Sequence, residues 1–193
     1  MEDVSWDLYQ RMLDEIGDGN TRLTFDNGRL EIMSPSRFHE RVKTVLGRLI
    51  ETYGDALEIV VEGAGSTTFK RKDLLKGLEP DECYYIAHAE EIEGRDDLDL
   101  TIDPPPDLVI EIDLSHPGVA RQPIYAAMGV PEIWKYDGSK VIPLHLNDGQ
   151  YIAAEQSLAF PELPMKVVNE IVQLALTKTQ SAAMASFRKW LTK

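Results

Sequence analysis

Asp107-Leu108-Val109-Ile110-Glu111-Ile112-Asp113-Leu114 is the most strongly patterned stretch of this 193-residue chain. In an extended strand successive side chains point to opposite faces, so the stretch sorts into two sets. Leu108, Ile110, Ile112 and Leu114 form an unbroken apolar face that requires a buried partner layer. Asp107, Val109, Glu111 and Asp113 form the other face, with Glu111 and Asp113 roughly 7 Å apart along the strand. Carboxylates that close repel one another, and the cost falls if a cation sits among them. The wet side of an antiparallel sheet would show the same alternation, and the strand alone leaves both readings open.

Working outward, Glu79-Pro80-Asp81 leads into Glu82-Cys83-Tyr84-Tyr85-Ile86, which reads as a neighbouring strand with Asp81 at its start. If the two strands pair, Asp81 converges on Glu111. Two carboxylates completed by water and a phosphate oxygen suit Mg²⁺, a hard cation that seldom uses an all-protein cage. Upstream, Pro35 approaches a helix over residues 36–53 whose apolar stripe is Phe38, Val42, Val45, Leu46, Leu49 and Ile50. Glu40, Lys43, Thr44 and Gly47 share its more polar face, which makes Glu40 a third candidate acid. Downstream, a short helix at residues 122–128 is closed by Gly129 and Pro131, and residues 132–136 resume as a strand.

The flanks are read in the same way. Ser5 caps an amphipathic helix carrying Trp6, Tyr9, Met12, Leu13 and Ile16. Asn27-Gly28 and Asp148-Gly149 are hairpin turns, because these residues accept positive φ. Runs at 57–62 and 66–70, separated by Gly63 and Gly65, read as another hairpin. The acidic stretch 88–106 reads as an exposed loop with at most a helical turn, and the tail from about 165 to 193 as helical with a break at 178–181. The expected whole is one α/β (α+β) domain spanning 1–193, with a central mixed sheet flanked by helices.

Composition narrows the function. With 20 basic and 33 acidic residues the net charge is −13, which argues against simple coating of nucleic acid. Basic residues nevertheless gather at Lys70-Arg71-Lys72 with Lys76, at Arg37, Arg41, Lys43 and Arg48, and in the tail. They read either as solvated faces or as a local phosphate-facing surface. One cysteine, Cys83, rules out an internal disulfide and reads as core. His39, His88, His116 and His145 lack paired metal-ligand spacing and read as structural or exposed. No glycine loop for cradling phosphates is present. Without a leader-like segment or an apolar run of about 20 residues, a cytoplasmic location and no membrane partner are expected.

Three ordered segments resemble the Uma-two family of bacterial restriction-endonuclease-like proteins, in the PD-(D/E)XK nuclease superfamily. They are Glu79-Pro80-Asp81-Glu82-Cys83-Tyr84-Tyr85-Ile86, Pro106-Asp107-Leu108-Val109-Ile110-Glu111-Ile112, and Tyr125-Ala126-Ala127-Met128-Gly129-Val130-Pro131-Glu132-Ile133-Trp134. The resemblance runs from the hairpin at Arg22 to at least Trp134. It implies a restriction-endonuclease-like sheet and a Mg²⁺ (or Mn²⁺)-dependent site hydrolysing DNA, with Asp81 and Glu111 as metal ligands and Glu40 as a helical glutamate. It also implies a possible homodimer, since nucleases of this type often pair to cut both strands. Asp113 stands where the superfamily pattern has lysine, and Arg121, in the approach to the next helix, is the nearby basic candidate. A guanidinium can steady a phosphate but is a poor general base. Three functions therefore stand: a working endonuclease, a catalytically silent binding or assembly module on the same fold, or an acidic interaction protein with only a chance carboxylate face.

Overall fold

The computed structural model describes residues 1–17, 19, 21–114 and 118–192. In chain order it forms α1 (Trp6–Ile16), β1 (Arg22–Asp26), β2 (Arg29–Met33), α2 (Arg37–Leu57), β3 (Glu62–Gly63), β4 (Phe69–Arg71), β5 (Lys76–Leu78) and β6 (Glu82–Tyr85). There follow β7 (Leu108–Ile112), α3 (Gln122–Met128), β8 (Glu132–Tyr136), β9 (Val141–Asn147), β10 (Gln150–Ala153), α4 (Met165–Thr177) and α5 (Gln180–Leu191). A larger mixed sheet has the order β10-β9-β8-β7-β6-β3, and a smaller antiparallel sheet the order β2-β1-β5-β4.

Local chemistry accounts for most element boundaries. The hydroxyls of Ser5, Ser36 and Thr179 accept the orphan amide N–H of Leu8, His39 and Ala182, which starts α1, α2 and α5. Asn27 and Gly28 have φ of 48° and 86°, and Asp148 and Gly149 have 47° and 77°, as the tight turns β1-β2 and β9-β10 require. The helix-to-strand connection through α3 lets β8 run parallel to β7, with Glu111 in register with Lys135.

All five residues of β7 are buried. Leu108, Ile110 and Ile112 pack with Leu46, Leu49 and Ile50 of α2 and with residues of α4 and α5, while Val109 on the opposite face packs with Ile124, Tyr125 and Ile133. The solvated-face reading of Glu111 therefore fails, because α2, α4 and α5 cover one face of β7 and α3 covers the other, leaving Glu111 buried. The apolar face is also shorter than expected. It ends at Ile112, and Leu114 lies beyond the strand with 44% of its surface exposed.

Three other expectations are corrected. Residues 57–62 and 66–70 do not form a hairpin: α2 runs on to Leu57, β3 pairs with β6, and β4 pairs with β5 in the other sheet. A chain crossing between sheets shows the same β-prone runs and glycine spacing as a hairpin, because the distant partners leave no local mark. Gly47 is not on a polar face but is buried against Tyr84, where a Cβ would come 2.9 Å from the tyrosine hydroxyl. The acidic stretch is only partly a surface loop: Ala89, Ile92 and Leu100 are buried, and Arg95 pairs with Asp103.

The helical tail is integral to the core. Val168, Ile171, Val172, Ala183 and Phe187 join the cluster that covers β7, and each of these side chains larger than alanine contributes about 1.5–3 kcal/mol when fully buried. Arg41 of α2 donates to the carbonyls of Ala175 and Lys178, tying α2 to the end of α4. No helix among the described residues is long and apolar enough to cross a membrane.

At the end of β1, Asp26 is buried and accepts hydrogen bonds from Lys76, Asn27 and Arg29. Burial opposes its ionisation, but these donors and the Lys76 charge outweigh it and hold its pKa below the ordinary value. A depressed folded pKa gives stability that is present above the unfolded value, near 4, and lost as pH falls towards the folded one. Asp26→Asn is therefore expected to cost about 2 kcal/mol at pH 7, read by urea unfolding. The gap to wild type should close as pH falls below about 4; a gap that stays constant down to pH 2 would assign it to packing instead.

Candidate active site

The pairing of Glu82 with Ile110 in antiparallel register, carried one residue further, sets Asp81 opposite Glu111. Asp81 has no exposed surface. Its Oδ2 accepts the Ile112 amide at 2.7 Å and His39 Nε2 at 2.8 Å, and its Oδ1 accepts Arg22 Nη1. An ionised carboxylate only accepts, so the His39 proton sits on Nε2. Burial resists charging Asp81, but the His39 hydrogen bond, the nearby charges of His39 and Arg22 and the Ile112 amide prevail, and its pKa lies below the ordinary value.

Glu111 is buried in the other direction, on the face of β7 covered by α3. Arg121, at the N-terminal boundary of α3, donates to Oε2, and Tyr125, one turn later, donates to Oε1. Residues four apart share one helix face, so a single turn supplies both partners. Burial pushes the Glu111 pKa up, Arg121 opposes the rise, and the negative charge of Asp81 adds to it; the outcome is a raised value. The two acids are thus driven apart electrostatically, one held charged and one reluctant.

Around Glu111 opens a cleft of about 480 Å³, bounded by the residues after β2, the end of β7, the start of α3 and the middle of β8. Glu31, Glu111 and Asp113 bring negative charge to it, and Arg121 and Lys135 bring positive charge. Asp113 lies in this cleft with Lys135 Nζ 2.8 Å from its Oδ2. The ammonium from β8 therefore ends where the side chain of position 113 ends. Glu40 is further out, 46% exposed, with Oε1 3.8 Å from Arg22. Glu40 Oε1 is 3.3 Å from His39 Nδ1, but that buried nitrogen has no aligned hydrogen-bond partner.

The donor set was tested against a divalent cation. Among the described residues no three His, Cys, Asp or Glu side chains converge on one point, which excludes a closed protein cage there. Mg²⁺ and Mn²⁺ do not require one, since one or two carboxylates with water and phosphate suffice. A carboxylate has about four acceptor positions. Asp81 uses three and Glu111 two, so Asp81 keeps one and Glu111 two, and this donor chemistry suits such an ion.

Asp81, Glu111, Asp113 and Arg121 thus gather in one region, with Glu40 at its margin. The sequence reading missed Arg22, His39, Tyr125 and Lys135. Of the two readings open for His39, structural or exposed, burial and the bond to Asp81 select the structural one and place it in the cluster. For Lys135 a local signal existed, a lone cation inside the apolar run Glu132-Ile133-Trp134-Lys135-Tyr136. Cys83 is buried, and burial with the neighbouring Glu82 charge raises its thiol pKa, which suits a core residue. His88 pairs with Asp107, His145 lies near Glu132, and His116 falls outside the described residues.

A mixed sheet with helices on both faces and two buried acids set opposite one another by strand register defines a restriction-endonuclease-like α/β protein. The profile of the Uma2 family, described as "Putative restriction endonuclease", matches residues 6–177, and the chain belongs to that family. A solved structure described as a "putative nuclease belonging to DUF820", from Anabaena variabilis ATCC 29413, shares the fold. It has a TM-score of 0.53 and 13% identity, over 78% of this chain and 90% of that one. Comparison with curated proteins gives no match.

Proposed function

We propose that this protein is a divalent-metal-dependent endonuclease that hydrolyses DNA phosphodiester bonds in the cleft beside Glu111. The observation that carries the reading is the register that sets buried Asp81 opposite Glu111, with Glu111 lining a cleft that also holds Arg121 and Lys135. Three carboxylates in the cleft would repel a phosphodiester, which is a further reason to expect a cation there. Asp81 and Glu111 would hold Mg²⁺ or Mn²⁺, which when bound would activate water and offset charge on the phosphate. The chain's own part is to position. His39 and the Ile112 amide fix Asp81, Tyr125 fixes Glu111, and Arg121 faces the cleft as a cation for a phosphate oxygen. Cutting both strands with one site per chain calls for two copies, so a homodimer on DNA is the assembly this reading expects.

One observation favours the silent module instead: both acids already carry an internal guanidinium, Arg22 on Asp81 and Arg121 on Glu111. The two readings separate in a plasmid assay with purified protein and Mn²⁺ or Mg²⁺, against an EDTA control. The nuclease reading expects metal-dependent nicking or linearisation that co-elutes with the protein and is lost in Glu111→Gln. Intact plasmid across metals and salt concentrations would give the function to the binding module.

A further inference from the structure

Lys135 is the least committed cation of the cleft. It lies in the middle of β8, a strand otherwise buried, and its side chain is 31% exposed. Its register partner across the parallel ladder is Glu111, and paired residues on adjacent strands project to the same face about 5 Å apart. An ammonium has three N–H donors. Lys135 Nζ forms an ion pair with Asp113 Oδ2 at 2.8 Å, and no other ion pair and no hydrogen bond of its side chain is found among the described residues. Arg121, by contrast, is mostly buried and directed at Glu111.

A bare ammonium in the middle of a β-strand costs strand packing and desolvation, and Ile133, two residues earlier on the same face, shows the apolar alternative. Asp113 steadies this ammonium without saturating it, in a pair open enough to water that its attraction is modest. The ammonium thus keeps donors to offer at the wall of a cleft of about 480 Å³. We propose that Lys135 is a phosphate-contacting residue, held towards the cleft by Asp113 and directed at a backbone phosphate of nucleic acid lying beside Glu111. The inference rests on the cleft being the DNA site, as in the function proposed above, but not on that site being catalytically active.

The test is equilibrium binding of a short fluorescent DNA duplex in EDTA over a range of salt concentrations, for wild type, Lys135→Met, Lys135→Arg and Asp113→Asn. Each phosphate contact contributes about 0.9 to the slope of log affinity against log salt. Lys135→Met should lower the slope by about that amount, Lys135→Arg should retain it, and Asp113→Asn should not lower it. Melting curves run alongside show that the variants fold. A purely structural ion pair would lower the melting temperature equally in Lys135→Met and Asp113→Asn and leave the slope unchanged, which overturns the proposal. So does a wild type that does not bind DNA. If wild type also cuts with Mn²⁺, Lys135→Met should slow it by roughly 10²-fold, as for loss of one transition-state donor. A wild type that binds with the Lys135-dependent slope but never cuts would overturn the nuclease reading and leave this one standing.

Discussion

Asp81→Asn is expected to lower folding stability by about 3–5 kcal/mol, the cost of removing one partner from a buried ion pair. Asp81 has no exposed surface, and its partners Arg22 and His39 are 8% and 5% exposed at their side chains. An asparagine whose oxygen takes the place of Oδ2 keeps the Ile112 amide and His39. Its amide NH₂ would then face the Arg22 guanidinium, donor against donor, and leave it without a counter-charge. With a urea dependence near 2 kcal/mol per molar, the unfolding midpoint should fall by about 2 M. The control is Glu40→Gln. Glu40 is 46% exposed and its ion pair with Arg22 spans 3.8 Å, so it should shift stability by no more than about 0.5 kcal/mol. If the two substitutions proved equally mild, the Arg22-Asp81-His39 cluster would not be the structural lock between α2, β1 and the central sheet that its geometry indicates.

The second large effect concerns the metal. If Asp81 and Glu111 take up a divalent cation in the native state only, Mn²⁺ at about 100 times its dissociation constant should stabilise the fold by about 2.7 kcal/mol. For a chain of this size that is a rise in melting temperature of about 5–10 °C. In Glu111→Gln the rise should vanish when each protein is compared with its own metal-free baseline. Arg121→Ala provides a sharper contrast, because Arg121 donates to Glu111 and adds positive charge beside the acids. Its removal should leave or strengthen the metal-induced rise while slowing cleavage by roughly 10²–10³-fold, since a donor to the phosphate is lost. Metal-induced rises of equal size in wild type and Glu111→Gln would place the ion elsewhere.

The structure changes what a substitution at position 113 would do. From sequence, Asp113 is a lysine missing from a pattern, and Asp113→Lys restores it. In the fold, Lys135 Nζ already lies 2.8 Å from the Asp113 carboxylate, so a second ammonium would be brought against the first. Asp113→Lys alone is thus expected to destabilise the cleft, and only the exchange Asp113→Lys with Lys135→Asp keeps an ion pair.

Features set by neighbouring residues are legible in the chain before it folds. The 3.6-residue stripe and Ser36 cap set α2, Asn27-Gly28 and Asp148-Gly149 set two turns, and the alternation from Asp107 to Ile112 set the strand carrying Glu111. Each follows from backbone geometry and burial within a few residues. Tertiary structure alone decided which charges meet. Arg22 reaches Asp81 across 59 positions and His39 across 42, and Lys135 reaches Asp113 because β8 lies parallel beside β7. Strand order and register bring these groups together, and they depend on which surfaces can be buried jointly over the whole chain. No local pattern records that choice, so β3 and β4 resembled a hairpin and the partners of both acids lay out of sight until the sheets were assembled.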